Sequence, residues 1–177
     1  MKKKSFLRLL LETIGYALLS NIFSLAVTIA LAGFGIGDIL MGVAAFCSVS
    51  IYLMFMFTAG HKDGETERKL LARKTIEKTE PGKWLKIGII VWILVCLPCV
   101  ALLIFHGSFI YLTFFRFMFS VMMALSLLFG SESNPFWTPF LFMGIYALTP
   151  VACRLGYYVG FFEKMTIDSI VYKKKKN

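Results

Sequence analysis

One polar stretch of the sequence, 61–83, holds side chains whose types and spacing could do chemistry. Four of them alternate along the chain: His61, Asp63, Glu65 and Glu67. Hard oxygen ligands with alternate spacing can suit a divalent cation. However, Glu65 and Lys69 are also spaced for pairing on a short exposed helix. We interpret the stretch as a solvated cytoplasmic loop with a basic excess; metal or substrate binding by this group, including His61 and Asp63, is the alternative.

The sequence Cys-Leu-Pro-Cys at 96–99 is a second group with possible chemistry. Its spacing suits thiol exchange, in which Cys99 or Cys96 resolves a mixed disulfide formed by the other. Such exchange also needs a second pair, whereas Cys47 and Cys153 are single residues in other apolar runs. We therefore interpret all four cysteines as small apolar residues. A thiol-redox membrane enzyme is the alternative.

The composition indicates that these groups sit in a membrane protein. The chain has 177 residues, 58% of them hydrophobic and 16% charged, whereas soluble domains are about 45–50% apolar and about 25% charged. A helix that spans a bilayer needs about 17–25 mostly apolar residues. Five runs meet this requirement: about 9–33, 39–59, 84–105, 109–130 and 136–160. The sequence therefore predicts a single all-α, multi-pass membrane domain over 1–177.

The positions of the basic residues predict how the chain is oriented. All Lys and Arg residues except Arg116 and Arg154 lie in the N-terminal leader, in 62–86 or in the tail 163–177. Basic residues mark cytoplasmic segments near helix ends. We therefore expect both termini and the central loop on the cytoplasmic side of the cell membrane. There the lysines would contact anionic headgroups of the inner leaflet.

Five full crossings would place the tail outside, against this charge pattern, so one run is predicted not to cross. The run 109–130 is the best candidate because it contains Arg116, and an isolated Arg at mid-bilayer costs about 2.5–3.5 kcal/mol on insertion scales. The predicted fold is four transmembrane helices plus one re-entrant or interfacial helix; five transmembrane helices are the alternative. A charge at membrane depth also makes Arg116 a candidate functional residue.

Small and hydroxyl side chains predict that the first two helices form a hairpin. On the first helix they are Ala17, Asn21, Ser24 and Thr28; on the second, Gly37, Met41, Ala44 and Ser48 share a face. Such faces let transmembrane helices approach closely and hydrogen-bond. Near the predicted boundaries, Trp84, Tyr157 and Tyr158 suit the headgroup zone, toward which Arg154 can snorkel.

These patterns favour a small membrane protein with no recognisable catalytic centre and no cofactor or metal motif. An accessory subunit that binds a membrane-protein partner is the leading interpretation. A small transporter, channel or holin-like pore former, built as a homo-oligomer, is the alternative, and Asn21 and Arg116 would then line the path. Nucleic acid is not expected as a partner, because the basic residues cluster at helix ends, apart from the aromatic side chains.

Overall fold

The computed structural model describes residues 4–32, 38–76, 79–80, 82–104 and 138–162. Within these ranges the chain is all-helical, with five helices: α1 (Phe6–Ala32), α2 (Asp38–Ala72), α3 (Gly82–Ile104), α4 (Thr138–Tyr146) and α5 (Thr149–Phe162). Four stretches are long and apolar enough to cross a membrane: Phe6–Leu31, Gly42–Ala72, Gly82–Ala101 and Pro139–Phe162. The predicted helical membrane fold is confirmed to this extent, whereas 109–130, with Arg116, lies outside the described residues.

Local backbone features explain two of the helix ends. After α2, Lys74 adopts a φ of 54°, and the Thr75 N–H donates back to the Leu70 carbonyl at 3.0 Å. A left-handed residue of this kind satisfies carbonyls at a helix C-terminus. The predicted helix at 136–160 is divided into α4 and α5 by a turn at 147–148. Pro150 follows this turn and cannot donate a backbone hydrogen bond to the preceding helix.

α1 and α2 form the predicted antiparallel hairpin. Ser24 Oγ donates to the Ser48 carbonyl at 3.4 Å, and Lys62 Nζ donates to the Tyr16 hydroxyl at 2.8 Å. Tyr16, in the first half of α1, meets Lys62 in the second half of α2, whereas Ser24, further along α1, meets Ser48 in the first half of α2. The two helices therefore run in opposite directions.

The directions of the other helices bring four helix ends together. Trp92 of α3 donates its indole N–H to the Met143 carbonyl of α4 at 3.1 Å, and Lys83 lies 5.8 Å from the centre of the Tyr157 ring in α5. α3 therefore runs antiparallel to α4 and α5. We call the end where α1 and α3 begin and α2 and α5 end the basic end, because Lys62, Lys83 and other lysines lie near it.

Four glycines bring the backbones of α2 and α5 into direct contact: Gly60 and Gly64 in α2, Gly156 and Gly160 in α5. A Cβ atom at any of these positions would lie less than 3.0 Å from a backbone carbonyl oxygen of the other helix. The contacts are reciprocal, since Gly60 faces Cys153 while Gly156 faces Phe57. Glycines four residues apart share a helix face and allow such close packing.

The polar stretch 61–83 differs from the predicted solvated loop. α2 continues through it as far as Ala72, and α3 begins at Gly82. The predicted exposed pair is present, with Lys69 Nζ 2.5 Å from Glu65 Oε1. On another face of the same helix, Asp63 and Glu67 are buried, because that face packs against α3 and α5 instead of meeting solvent.

The core between α2, α3 and α5 is rich in aromatic side chains. Tyr52 and Tyr146 meet edge to face with their ring centres 4.9 Å apart, and the Tyr52 hydroxyl lies 2.8 Å from Thr149 Oγ1. Trp84 and Tyr157 are also buried in this core. Their polar groups find partners inside the bundle, the Trp84 indole at Asp63 and the Tyr157 hydroxyl at Glu67; the placement of these residues at the level of the headgroup zone stays a prediction.

We expect Gly156→Ala to destabilise the fold by about 1–3 kcal/mol, because the added methyl group would force the α2 and α5 backbones apart. Gly144→Ala is the matched control, since a Cβ there meets no atom within 4 Å. Replacing a helical glycine at such an open position should stabilise by about 0.5–1 kcal/mol. Equilibrium unfolding in detergent measures both changes, and equal stability of the two variants would contradict the close backbone contact.

Candidate functional site: a buried charge cluster

Three charged side chains are buried at the basic end, where α2, α3 and α5 meet. Asp63 is 2% exposed, Glu67 1% and Lys83 8%. The four-residue spacing puts both carboxylates on one face of α2, and the first turn of α3 places Lys83 opposite them. A buried charge is strongly disfavoured unless it is paired and hydrogen-bonded, so this arrangement depends on its partners.

Lys83 bridges the two carboxylates. Its Nζ lies 2.7 Å from Asp63 Oδ2 and 2.5 Å from Glu67 Oε1. The Trp84 indole N–H donates to Asp63 Oδ2 at 3.0 Å, and the Tyr157 hydroxyl donates to Glu67 Oε2 at 2.6 Å. These five residues, which we call the charge cluster, connect three helices through ionic and hydrogen bonds.

The charge cluster holds two carboxylates and one ammonium group. When all three side chains are ionised, one negative charge is left over within the cluster. The first turn of α3, which contains Lys83 and Trp84, carries the positive end of that helix's dipole and opposes this excess. The Lys83 ammonium also lies 5.8 Å from the centre of the Tyr157 ring, within the range of a cation–π attraction.

His61 and Asp63 do not come together as metal ligands. His61 stacks on Phe57 with ring centres 6.0 Å apart, whereas Asp63 points to Lys83. The ammonium group thus takes the place between Asp63 and Glu67 that a bound cation would need. Within the described ranges, no three His, Cys, Asp or Glu side chains are grouped so that they could hold a metal ion.

The cysteines predicted as a possible redox pair lie on α3 on either side of Pro98. Cys99 is fully buried and its thiol approaches the Val95 carbonyl at 3.6 Å, while Cys96 is half-buried. All four cysteines of the chain are free thiols. The burial of Cys99 is typical of a cysteine that packs as a small apolar side chain, and buried thiols of this kind are chemically inert.

The polar face of α1 is turned toward α2, as predicted, and its hydroxyl groups are buried. Each donates to a backbone carbonyl: Thr13 to Leu9, Ser20 to Ala17, Ser24 to Ser48 and Thr28 to Ser24. Asn21 is half-buried, and Ser48 Oγ has no hydrogen-bond partner among the described residues. The other predicted positions of the α2 face, Gly37 and the Met41 side chain, lie outside the described part.

A surface cleft of about 620 Å³ opens beside the charge cluster. Its lining comes from the starts of α1 and α3 and from the segment before α3: Phe6, Glu80, Gly82, Lys83 and Lys86. An aromatic ring and charges of both signs face the same opening.

Sequence reasoning missed Lys83 as the partner of the acidic residues and missed the glycine contact that holds their helices. The sequence does contain a pattern that indicates this contact. Gly60 and Gly64 are four residues apart, as are Gly156 and Gly160, and glycines at this spacing mark a face where two membrane helices pack closely. Asp63 continues the face that starts at Gly60, so the glycine spacing could have indicated that this face is packed.

In comparisons with known proteins, no protein-family model, no curated protein and no solved structure matches the chain. Function is therefore inferred from the geometry of the molecule itself.

We expect Lys83→Met to destabilise the fold by about 3–5 kcal/mol, because it leaves two buried carboxylates without a counter-ion. Glu67→Gln should cost less, about 1 kcal/mol, since Asp63 and Lys83 then form a balanced pair and only hydrogen bonds change. Lys86→Met, an exposed position on the same helix, is the control and should stay within about 0.5 kcal/mol of wild type. Chemical unfolding in detergent separates these cases, and similar losses for the two lysine variants would rule out the bridging role.

Proposed function

We propose that this protein is a multi-pass membrane subunit without a catalytic centre, whose role is to bind a partner membrane protein. The internal pairing of the charge cluster carries the proposal. Lys83, Asp63 and Glu67 bond to one another and to Trp84 and Tyr157, so they stabilise the packing of α2, α3 and α5. This internal pairing supports a structural role for them over action on a substrate.

The packed interior supports the same role. The glycine contact leaves no space between α2 and α5, and Tyr52, Met56 and Tyr146 are buried in the core. The buried hydroxyls of α1 bond to backbone carbonyls rather than facing a cavity. The outer faces of the helices are therefore the surface that a partner would contact; on α1 they carry large apolar side chains such as Leu18 and Ile22.

The directions of the helices support four crossings with both termini in the cytoplasm. α1 begins and α5 ends at the basic end, while α3 ends and α4 begins at the opposite end. One further crossing by 109–130 would bring the chain to the basic end before α4 begins. An even number of crossings therefore fits the described helices, and the basic residues favour the cytoplasm for the basic end.

The length of α2 supports a place for the charge cluster at the edge of the apolar layer. Gly42 and Asp63 are separated by 21 residues, or about 32 Å at 1.5 Å per residue, and the hydrocarbon core of a bilayer is about 30 Å thick. With Gly42 at one boundary, Asp63 lies at the other. A charge at that level costs less than one at the bilayer centre.

Reporter fusions test this topology. Fusions at Thr75 and Asn177 should be active in the cytoplasm, and a fusion at Ser133 should be active outside, because 109–130 then enters and leaves on one side. Thr75 serves as the internal reference, since it lies directly after α2. An external Asn177 together with a cytoplasmic Ser133 would show five crossings and contradict the proposal.

Photo-crosslinking in native membranes tests partner binding. A photoreactive amino acid at Ile22, Ile93 or Val151 places the probe on the exposed face of α1, α3 or α5. We expect a discrete adduct with one other membrane protein from one of these faces, because a specific partner covers only part of the surface. The positions that give no discrete adduct then serve as controls for helix faces that contact only lipid. The absence of a discrete adduct at all three positions would argue against a subunit role.

Reconstitution into liposomes tests the pore alternative. The purified protein should release no more trapped ion than protein-free liposomes do, because the described interior is packed. Release that rises with protein and is lost in Ser24→Leu, but not in the outward-facing Leu18→Ala, would indicate a path along the polar face of α1. That result would replace the subunit role with transport.

A further inference from the structure

Arg154 carries a positive charge on the outer face of an apolar helix, α5. It lies within the stretch Pro139–Phe162, which is apolar enough to span a membrane, and its side chain is exposed on the outer face of α5. In the part of the chain that the structure describes, Glu12, Asp63, Glu65 and Glu67 form ion pairs with Lys4, Arg8, Lys69 and Lys83, and not with Arg154. Arg154 therefore presents a positive charge on a surface surrounded by apolar side chains.

The ring of Tyr158 contacts this guanidinium group. Arg154 Cζ lies 5.5 Å from the centre of the Tyr158 ring, and Tyr158 in turn stacks on Phe162, with ring centres 6.1 Å apart and planes 7° from parallel. The three residues are spaced four apart on one outer face of α5. Tyr158 and Phe162 lie toward the basic end, so the aromatic neighbours of Arg154 are on the side of the headgroups at that end, toward which a long basic side chain can snorkel.

We propose that Arg154 binds the phosphate group of an anionic phospholipid in the leaflet at the basic end. This inference rests on the membrane placement in the proposed function. Arg154 is eight residues, or about 12 Å, before the end of α5, and a basic side chain at such a position can snorkel toward the headgroups. A guanidinium group that rests on an aromatic face still has its edge N–H groups available, and their fork matches two phosphate oxygens.

Lys62, near the same end of the bundle, is a suitable control for Arg154. Its Nζ donates to the Tyr16 hydroxyl at 2.8 Å and lies 5.3 Å from the centre of that ring. Lys62 thus already bonds to a neighbouring helix, and its ammonium is a point charge without a planar fork. Removing it changes the net charge of the protein as much as removing Arg154 does, without affecting the proposed phosphate contact.

Native mass spectrometry of the full chain in detergent can test the site, with phosphatidylglycerol as the anionic probe and phosphatidylcholine as the zwitterionic one. Wild type should bind one phosphatidylglycerol in preference to phosphatidylcholine. Arg154→Gln should weaken phosphatidylglycerol binding about fivefold, the factor expected for one basic residue at a membrane surface, and should leave phosphatidylcholine unchanged. Lys62→Gln should retain the preference. Both replaced side chains are exposed, so unchanged unfolding temperatures would verify that the variants fold.

Three results would overturn the site. Equal phosphatidylglycerol affinities of wild type and Arg154→Gln would remove the contact, and an equal loss in Lys62→Gln would indicate general charge attraction. Displacement of the lipid by millimolar inorganic phosphate would assign the group to a free anion instead of a lipid. Any of these leaves the subunit role intact, because that role is judged by crosslinking and topology reporters, which do not involve Arg154.

Discussion

The packing of α2 directly against α5 depends on the absence of side chains at four positions. With glycine at 60, 64, 156 and 160, the two backbones approach until carbonyl oxygens of one helix occupy the space where Cβ atoms of the other would lie. At this separation the Tyr157 hydroxyl reaches Glu67. A wider spacing would take away the hydrogen bond to a buried carboxylate, so the backbone contact and the pairing of the charges depend on each other.

The charge cluster adds specificity to this packing more than it adds stability. Two carboxylates and a lysine lose much of their hydration on burial, and their attraction only partly offsets that loss. A misaligned α3, however, would leave Asp63 and Glu67 buried without Lys83. The free-energy cost of these unpaired buried charges is much larger than the net stabilisation that correct pairing provides. The cluster therefore disfavours other registers of α3 against α2 and α5. It does so at the end of the bundle where the glycines already restrict the position of α5.

The apolar runs in the sequence located the described helices to within a few residues at most of their ends, because solvation by lipid requires long, continuous apolar stretches. The end of α2 was misjudged because exposed and buried charges alternate there within one stretch. Glu65 and Lys69 pair at the surface, while Asp63 and Glu67 turn inward. Composition alone does not distinguish these faces, since the difference depends on which helices lie opposite. Lys83, sixteen residues from Glu67, becomes its partner only through the fold.

The same fold explains why two basic residues near the basic end have different environments. Lys83 starts a helix that packs against two carboxylates, so its charge is balanced inside the bundle and its loss would affect folding first. Arg154 lies on the outer face of α5, where its guanidinium meets an aromatic ring and no carboxylate within the described residues. A charge kept on an apolar surface without an internal partner contributes little to packing. The proposed lipid contact would supply its counter-ion from the surroundings, because phosphate groups are the abundant anions at a bilayer surface.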